Sequence, residues 1–271
     1  MKKEDLKKNK LLKKQLQKIE KKETKILEKK EFKFVKEKIA PIQEKIEEKI
    51  PKKLERTLEA AFESGFKLVF EKGIGVIEKS YNKEDKRAAF DIKHYAVQRQ
   101  MSHKNINKID KSASKSILLN QLLTTVEGGV LGVLGIGLPD IPLLIGMLLK
   151  NIYEISLSYG FDYTEDKEKL YILYLICAGV TKEEVQAMYN RHLDEITKGD
   201  EQRLKDTQHL DSVIKETAHC LAEAMLIAKF IQGLPIVGVV GGFSNFTIMK
   251  DISEMAKVKY KKRYLKEKLI N

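Results

Sequence analysis

The sequence predicts an all-α fold, and three observations predict it. Apolar residues recur three and four positions apart in segment after segment. No strand-like alternation bounded by hairpin turns occurs. The glycines stand at the ends of helical patterns or inside two long apolar segments. With 271 residues and 42% apolar content, the chain can bury a core.

The elements follow in order. From Lys2 to about Lys38 the chain is rich in Lys and Glu, and Leu12, Leu16, Ile19 and Ile26 supply a thin heptad-like seam that Glu23 and Lys33 interrupt. A marginal helix or short coiled coil is expected there, and residues 1–50 are read as a charged helical extension of a body at 51–271. Val35, Ile39, Ile42, Ile46 and Ile50 form a clearer stripe, with Pro41 and Pro51 each placed to begin a helix. Leu54, Leu58, Phe62, Phe66, Val69 and Phe70 carry a helix into the body until Gly73 and Gly75 weaken it. Asn82 followed by Asp85 reads as a helix start. The polar stretch SHKNINKIDKSASKS, from Ser102, reads as a loop. A helix is expected from Pro142 to Tyr159 with Gly160 as its stop. Another is expected from near Thr164 to Gly179, and the next opens on the capping-box pair Thr181 and Glu184. A final pair covers roughly Asp206 to Phe230 and Pro235 to Leu269.

Two apolar segments are broken at the same tripeptide, Gly137-Leu138-Pro139 in GGVLGVLGIGLPDIPLLIGMLL and Gly233-Leu234-Pro235 in FIQGLPIVGVVGGFSNFTIM. A membrane-spanning helix needs about 20 apolar residues. The first segment carries Asp140 between two prolines, and a central Asp costs roughly 2.5 to 3.5 kcal/mol on insertion. Pro139 and Pro142 more naturally start a helix, with Asp140 in its first turn beside the free N–H groups. Gly132, Gly135, Gly238 and Gly241 make flat helix surfaces suited to close backbone approach. The expected architecture is therefore a multi-helix body built around two Gly/Pro-interrupted elements packed against each other. Buried core hairpins and a membrane-embedded pair both satisfy this pattern.

Charge is uneven. The first sixty residues hold 21 basic against 12 acidic side chains, and residues 255–271 hold 7 against 1, so the ends carry more than the whole net charge of +12. Nearly all of it is lysine, a hydrated point charge that suits diffuse attraction to phosphate. Lysines beside an apolar element fit the pattern of a membrane-facing flank. Lys257, Lys259, Lys261, Lys262 and Arg263 are accordingly expected to contact an anionic membrane surface or a membrane protein. No zinc-finger spacing, RRM signature or arginine-rich helix is present, so no nucleic-acid partner is expected. The charged N-terminus argues against a secretory signal, and a cytoplasmic protein peripheral to, or partly embedded in, the membrane is expected.

Catalytic patterns are weak. No GxSxG, P-loop or Rossmann fingerprint occurs. His219 and Glu223 stand at i, i+4 but lack a third ligand in sequence, and Cys177 and Cys220 sit in apolar surroundings without a CxxC frame. No metal or cofactor is expected, and the reading leans away from an enzyme. Asp140, Tyr159 and Asn245, polar residues in or beside apolar segments, are the candidate ligand or packing site together with the four glycines named above. A soluble helical domain binding a hydrophobic ligand, or a hydrolase, is the alternative.

The run GVLGIGLPDIPLLIG, followed by NIYEISLSYGFD and later by GLPIVGVVGGFSNFTIMKDISEMAKVKYKKRYL, resembles the EcsC family of bacterial proteins. The resemblance covers roughly residues 50 to 267, and Leu138 to Pro142, Tyr159 with Gly160, and Leu234 to Asn245 with Ala256 and Arg263 carry it most specifically. It implies a helical protein, named for a gene cluster that also encodes an ABC transporter, with no established enzymatic activity. An accessory or interaction role for transport or secretion machinery is the corresponding expectation.

Overall fold

The computed structural model describes residues 3–28, 51–116, 141–198, 207–232 and 243–270. These are helical almost throughout, with no strand among them. The elements are α1 (Lys3–Leu27), α2 (Lys52–Leu68), a π-helical turn (Val69–Gly73), α3 (Ile74–Lys79), α4 (Lys83–Arg99), α5 (103–116), α6 (Ile141–Ser158), α7 (Asp166–Val180), α8 (Glu183–Lys198), α9 (Thr207–Gln232) and α10 (Phe243–Ile270).

Two helices form the centre because their sequences are apolar on every side, a pattern that only full burial satisfies. In α6, Ile145, Leu149, Ile152, Tyr153 and Ile155 are fully enclosed; in α7, Ile172, Leu173, Leu175, Ile176, Cys177 and Ala178 are. α2, α4 and α10 cover α6, whereas α8, α9 and α10 cover α7. α6 is the one described helix long and apolar enough to cross a membrane, and 67% of it is buried inside the fold. It serves as a core helix.

Local signals place the ends of these helices. Asn82 accepts the Asp85 backbone N–H at 3.1 Å, so the expected cap of α4 forms. Gly160 adopts φ +86°, the Gly160 N–H donates to Leu157 O and the Phe161 N–H to Ser156 O. That is a Schellman stop for α6, and a side chain at Gly160 would also strike the Phe90 ring. At Gly179 an added Cβ would lie 2.9 Å from Ile252 Cα, which shows how closely α7 and α10 approach.

Two sequence expectations are corrected. The polar stretch read as a loop is α5: Ser102 accepts the Asn105 N–H at 3.2 Å as its cap, and Ile106, Ile109 and Ala113 supply a buried stripe that the surrounding Lys and Asn residues obscure. Thr181 does not open a capping box. Its hydroxyl donates to Cys177 O at 2.8 Å and so closes α7, while Glu183, at φ 51°, begins α8.

α1 packs along α10 and touches α8. Leu12, Gln15, Ile19 and Glu23 are its buried seam. The stripe expected at 35–50 lies outside the described residues.

Candidate functional site

α10 carries the basic run expected to face a membrane, and the structure turns that run inward. Lys259 is 1% exposed, Lys261 8% and Lys262 7%. Buried ammonium groups need partners, and each has them. Lys259 and Lys262 share Glu23 of α1, at 2.7 and 2.6 Å, and Asp194 of α8, at 3.1 and 3.2 Å. Lys261 pairs with Asp110 of α5 at 2.8 Å, and Lys257 donates to Ser114. Arg263 meets Glu168 of α7 at 2.7 Å, its guanidinium lying 4.0 Å from the centre of the Phe161 ring and 5.1 Å from that of Tyr171. Tyr260 donates to the other Glu168 oxygen at 2.7 Å. The run at 257–263, expected to contact a membrane surface, is engaged within the fold: these groups hold α1, α5, α7 and α8 against α10.

Titration behaviour follows the same geometry. Burial pushes the Asp194 carboxyl upward, but the Lys259 and Lys262 ammonium groups outweigh it and hold the group below its usual range. Asp110 behaves alike: burial opposes ionisation, and Lys261 and the Tyr159 hydroxyl more than offset it. Tyr159 and Tyr260 are pushed well above the usual phenol range, first by burial and then by the carboxylates that accept from them. These hydroxyls remain protonated donors and serve as struts.

Among the other site candidates, the side chain of Tyr159 is described. Tyr159 is 2% exposed and donates to Asp110 Oδ1 at 2.6 Å. Asn245 falls in the first turn of α10, its side chain lying outside the described set. Asp140, Gly132, Gly135, Gly238 and Gly241 also lie outside the described residues. Beyond the breaks the two elements do meet: Asn151 of α6 donates to Ser253 of α10. The apolar void lined by Phe62, Leu144, Ile145, Leu148 and Met225 amounts to about 10 Å³, room for one water and no hydrophobic ligand.

His219 accompanies Glu59 rather than Glu223. Its Nδ1 lies 2.5 Å from Glu59 Oε1, and that hydrogen bond raises the imidazole pKa. Glu55 completes a trio whose ligand-type atoms lie within 4.8 Å of one another. The His219–Glu59 bond accounts for the approach. Cys177 and Cys220 are free and buried. Cys177 Sγ donates to Thr217 Oγ1 at 3.3 Å, and burial pushes its thiol up.

With much of the 257–263 run enclosed, a dense stripe of exposed positive charge remains on α1. Lys7, Lys10, Lys14, Lys18, Lys21 and Lys25 recur at three- and four-residue spacing on the side opposite the buried seam, and Lys13 and Lys22 flank them. All eight are exposed, while Glu23 is enclosed and Glu20 half-buried. The weak apolar seam is the more conspicuous pattern in the sequence, and this complementary stripe is masked by the abundance of lysine around it. Its periodicity was the available signal.

A family model for the EcsC protein family matches residues 13–265. The chain belongs to the EcsC protein family. The match takes in α1 from residue 13, so the family's extent is wider at the N-terminal side than the motifs indicate. Among curated relatives of this EcsC-family chain, the uncharacterized protein YdbA of Bacillus subtilis (strain 168) is 30% identical over 149 residues, 54% of each chain. Protein EcsC of the same organism is 25% identical over 166 residues, 60% of this chain and 66% of its own length. The chain thus aligns with only about half to two thirds of these relatives. No solved structure matches it.

Proposed function

We propose that this EcsC-family protein is a membrane-surface accessory module that docks on anionic lipid headgroups through the lysine face of α1 and serves transport or secretion machinery. One observation carries the reading: eight exposed lysines on a helix whose opposite face is fixed to the body. A basic group near an anionic surface contributes about 1 kcal/mol, so several acting together suffice for reversible association without any membrane-spanning segment. Lysine suits this role because it attracts headgroups without demanding a fixed geometry. The enclosed run at 257–263 takes no part and instead holds the docking helix in place. On this reading the protein works at the cytoplasmic face, held peripherally.

Vesicle co-sedimentation tests it. The full chain is expected to pellet with phosphatidylglycerol vesicles at low salt, to be released by high salt, and to ignore phosphatidylcholine. Changing Lys14, Lys18, Lys21 and Lys25 together to Gln is expected to abolish pelleting. No pelleting of the wild type at low salt, or undiminished pelleting of the Gln variant, overturns the reading.

A further inference from the structure

A second group of lysines converges on a cleft of about 260 Å³ between α4, α5 and the end of α6. One wall is a face of α4, where Lys86, Ala89, Phe90 and Lys93 recur at helical spacing. The facing wall is α5, with Ser112, Lys115 and Ser116, and Ser158 closes the end. The geometry points to a phosphate-binding site in this cleft, taking a phosphomonoester with a small organic group against Phe90.

Charge is the first support. Lys86 is already paired, with Glu154 Oε2 at 2.7 Å, and also donates to Ser116 Oγ at 2.7 Å. Lys93 and Lys115 have no carboxylate or hydrogen-bond partner among the described residues, so the lining carries two uncompensated positive charges. A phosphomonoester near neutral pH carries about −1.5 to −2, which matches them. Packing adds a cost that an anion removes. Lys93 is half-buried, and burial together with the Lys86 charge lowers its pKa. Like charges brought together in a partly desolvated groove work against folding, and a bound anion converts that repulsion into attraction.

Hydrogen-bonding chemistry agrees. Ser116 is 1% exposed and accepts from Lys86, which leaves its hydroxyl proton for an anion. Ser112 offers another hydroxyl on the same wall. Ser158 spends its proton on Glu154 O at 2.7 Å and only shapes the end. The cleft lies just below the roughly 300 to 1,000 Å³ range of drug-sized sites, so a phosphate with a short ester group fits better than a nucleotide. This site shares no residue with the lysine face of α1.

Such a phosphomonoester is either free or the headgroup of a lipid, and two measurements on the full chain separate these sources. Thermal unfolding is followed with glycerol 3-phosphate against sodium chloride at matched ionic strength, and sedimentation compares phosphatidic acid with phosphatidylglycerol vesicles. The site predicts a saturable rise in Tm, or a preference for phosphatidic acid, weakened about tenfold or more by each of K93Q and K115Q. K93Q relieves repulsion in the empty cleft, so its Tm without ligand should equal or exceed that of the wild type, which separates lost binding from lost folding. The α1 variant described above should keep its glycerol 3-phosphate response even where vesicle binding fails. A response to the soluble ester alone assigns a free metabolite, and one to phosphatidic acid alone assigns a headgroup. Neither response, or equal responses in wild type, K93Q and K115Q, overturns the proposal.

Discussion

Two lysine-rich helices among the described residues, α1 and α10, look alike in sequence and have opposite fates in the fold. In α10 Lys259, Lys261, Lys262 and Arg263 are largely enclosed and paired with carboxylates from α1, α5, α7 and α8. In α1 the lysines stand in solvent along one stripe. What separates the two is the supply of apolar residues around the helix. α10 intersperses Met249, Ile252, Met255, Val258, Tyr260 and Leu265 on every side, so neighbours pack all round it and its cations are carried inside. α1 has one thin seam, so one face docks and the remainder stays wet. A lysine run therefore reports on location only after the apolar pattern around it is known.

The sharpest way to break this contrast is to strand a cation in α10. Glu168 is 2% exposed and neutralises Arg263 while accepting from Tyr260. Glu168→Ala leaves the Tyr260 hydroxyl without its acceptor and leaves Arg263 only the long 3.8 Å contact to the exposed Glu267, and removal of one partner of a buried pair costs about 3 to 5 kcal/mol. Urea unfolding should show a loss of that size. Glu168→Gln keeps an acceptor for Tyr260 and loses only the charge, so it should fall between the wild type and the Ala variant. A loss from Glu168→Ala no larger than that of a surface substitution would mean that Arg263 is satisfied by solvent or by Glu267.

Acid provides a smaller and graded test. The folded pKa of Asp110 lies below its ordinary value because Lys261 and Tyr159 favour its carboxylate over the opposing effect of burial. A group with a depressed folded pKa contributes stability that is present above its unfolded pKa and is lost as pH falls through the folded value. Asp194 adds to the same limb. Stability should therefore fall on the acid side of about pH 4, the ordinary carboxylate pKa. Asp110→Asn should lower stability at neutral pH and flatten the acid limb, as read by urea midpoints across pH. An acid limb identical to that of the wild type would show that Asp110 is not coupled to Lys261.

Much of the fold was legible because it rests on local signals. The 3.6-residue period marked α6, α7, α9 and α10, and Asn82 and Gly160 marked ends that the structure confirms in hydrogen bonds and in a positive φ. α5 was hidden because Ile106, Ile109 and Ala113 are too few to show through its Lys, Asn and Ser residues. It is recognisable once its cap at Ser102 is seen. The fate of the 257–263 cations was not legible, because it depends on carboxylates up to 239 positions away in the chain. Glu23 illustrates this. In sequence it spoils an apolar seam, and in the fold it sits in that seam because Lys259 and Lys262 face it. The phosphate cleft was hidden for the same reason: its lysines and serines belong to three elements, one of which read as a loop.

The smallest effect on folding should come from α1, where the contrast is also most informative. Lys14, Lys18, Lys21 and Lys25 are exposed and point away from the seam, so changing all four to Gln removes charge without uncovering core. Surface substitutions away from buried partners usually alter stability by less than about 0.5 kcal/mol each. Relief of lysine–lysine repulsion offsets part of any loss, so the urea midpoint of the fourfold variant should stay near that of the wild type. Its salt-dependent vesicle binding should nevertheless disappear. The reverse pattern is expected for Glu168→Ala measured under conditions where it is still folded: stability falls while the α1 face continues to bind. If the fourfold variant instead unfolds as readily as Glu168→Ala, the α1 lysines hold the fold together as those of α10 do, and the division between a structural and a docking set of cations fails.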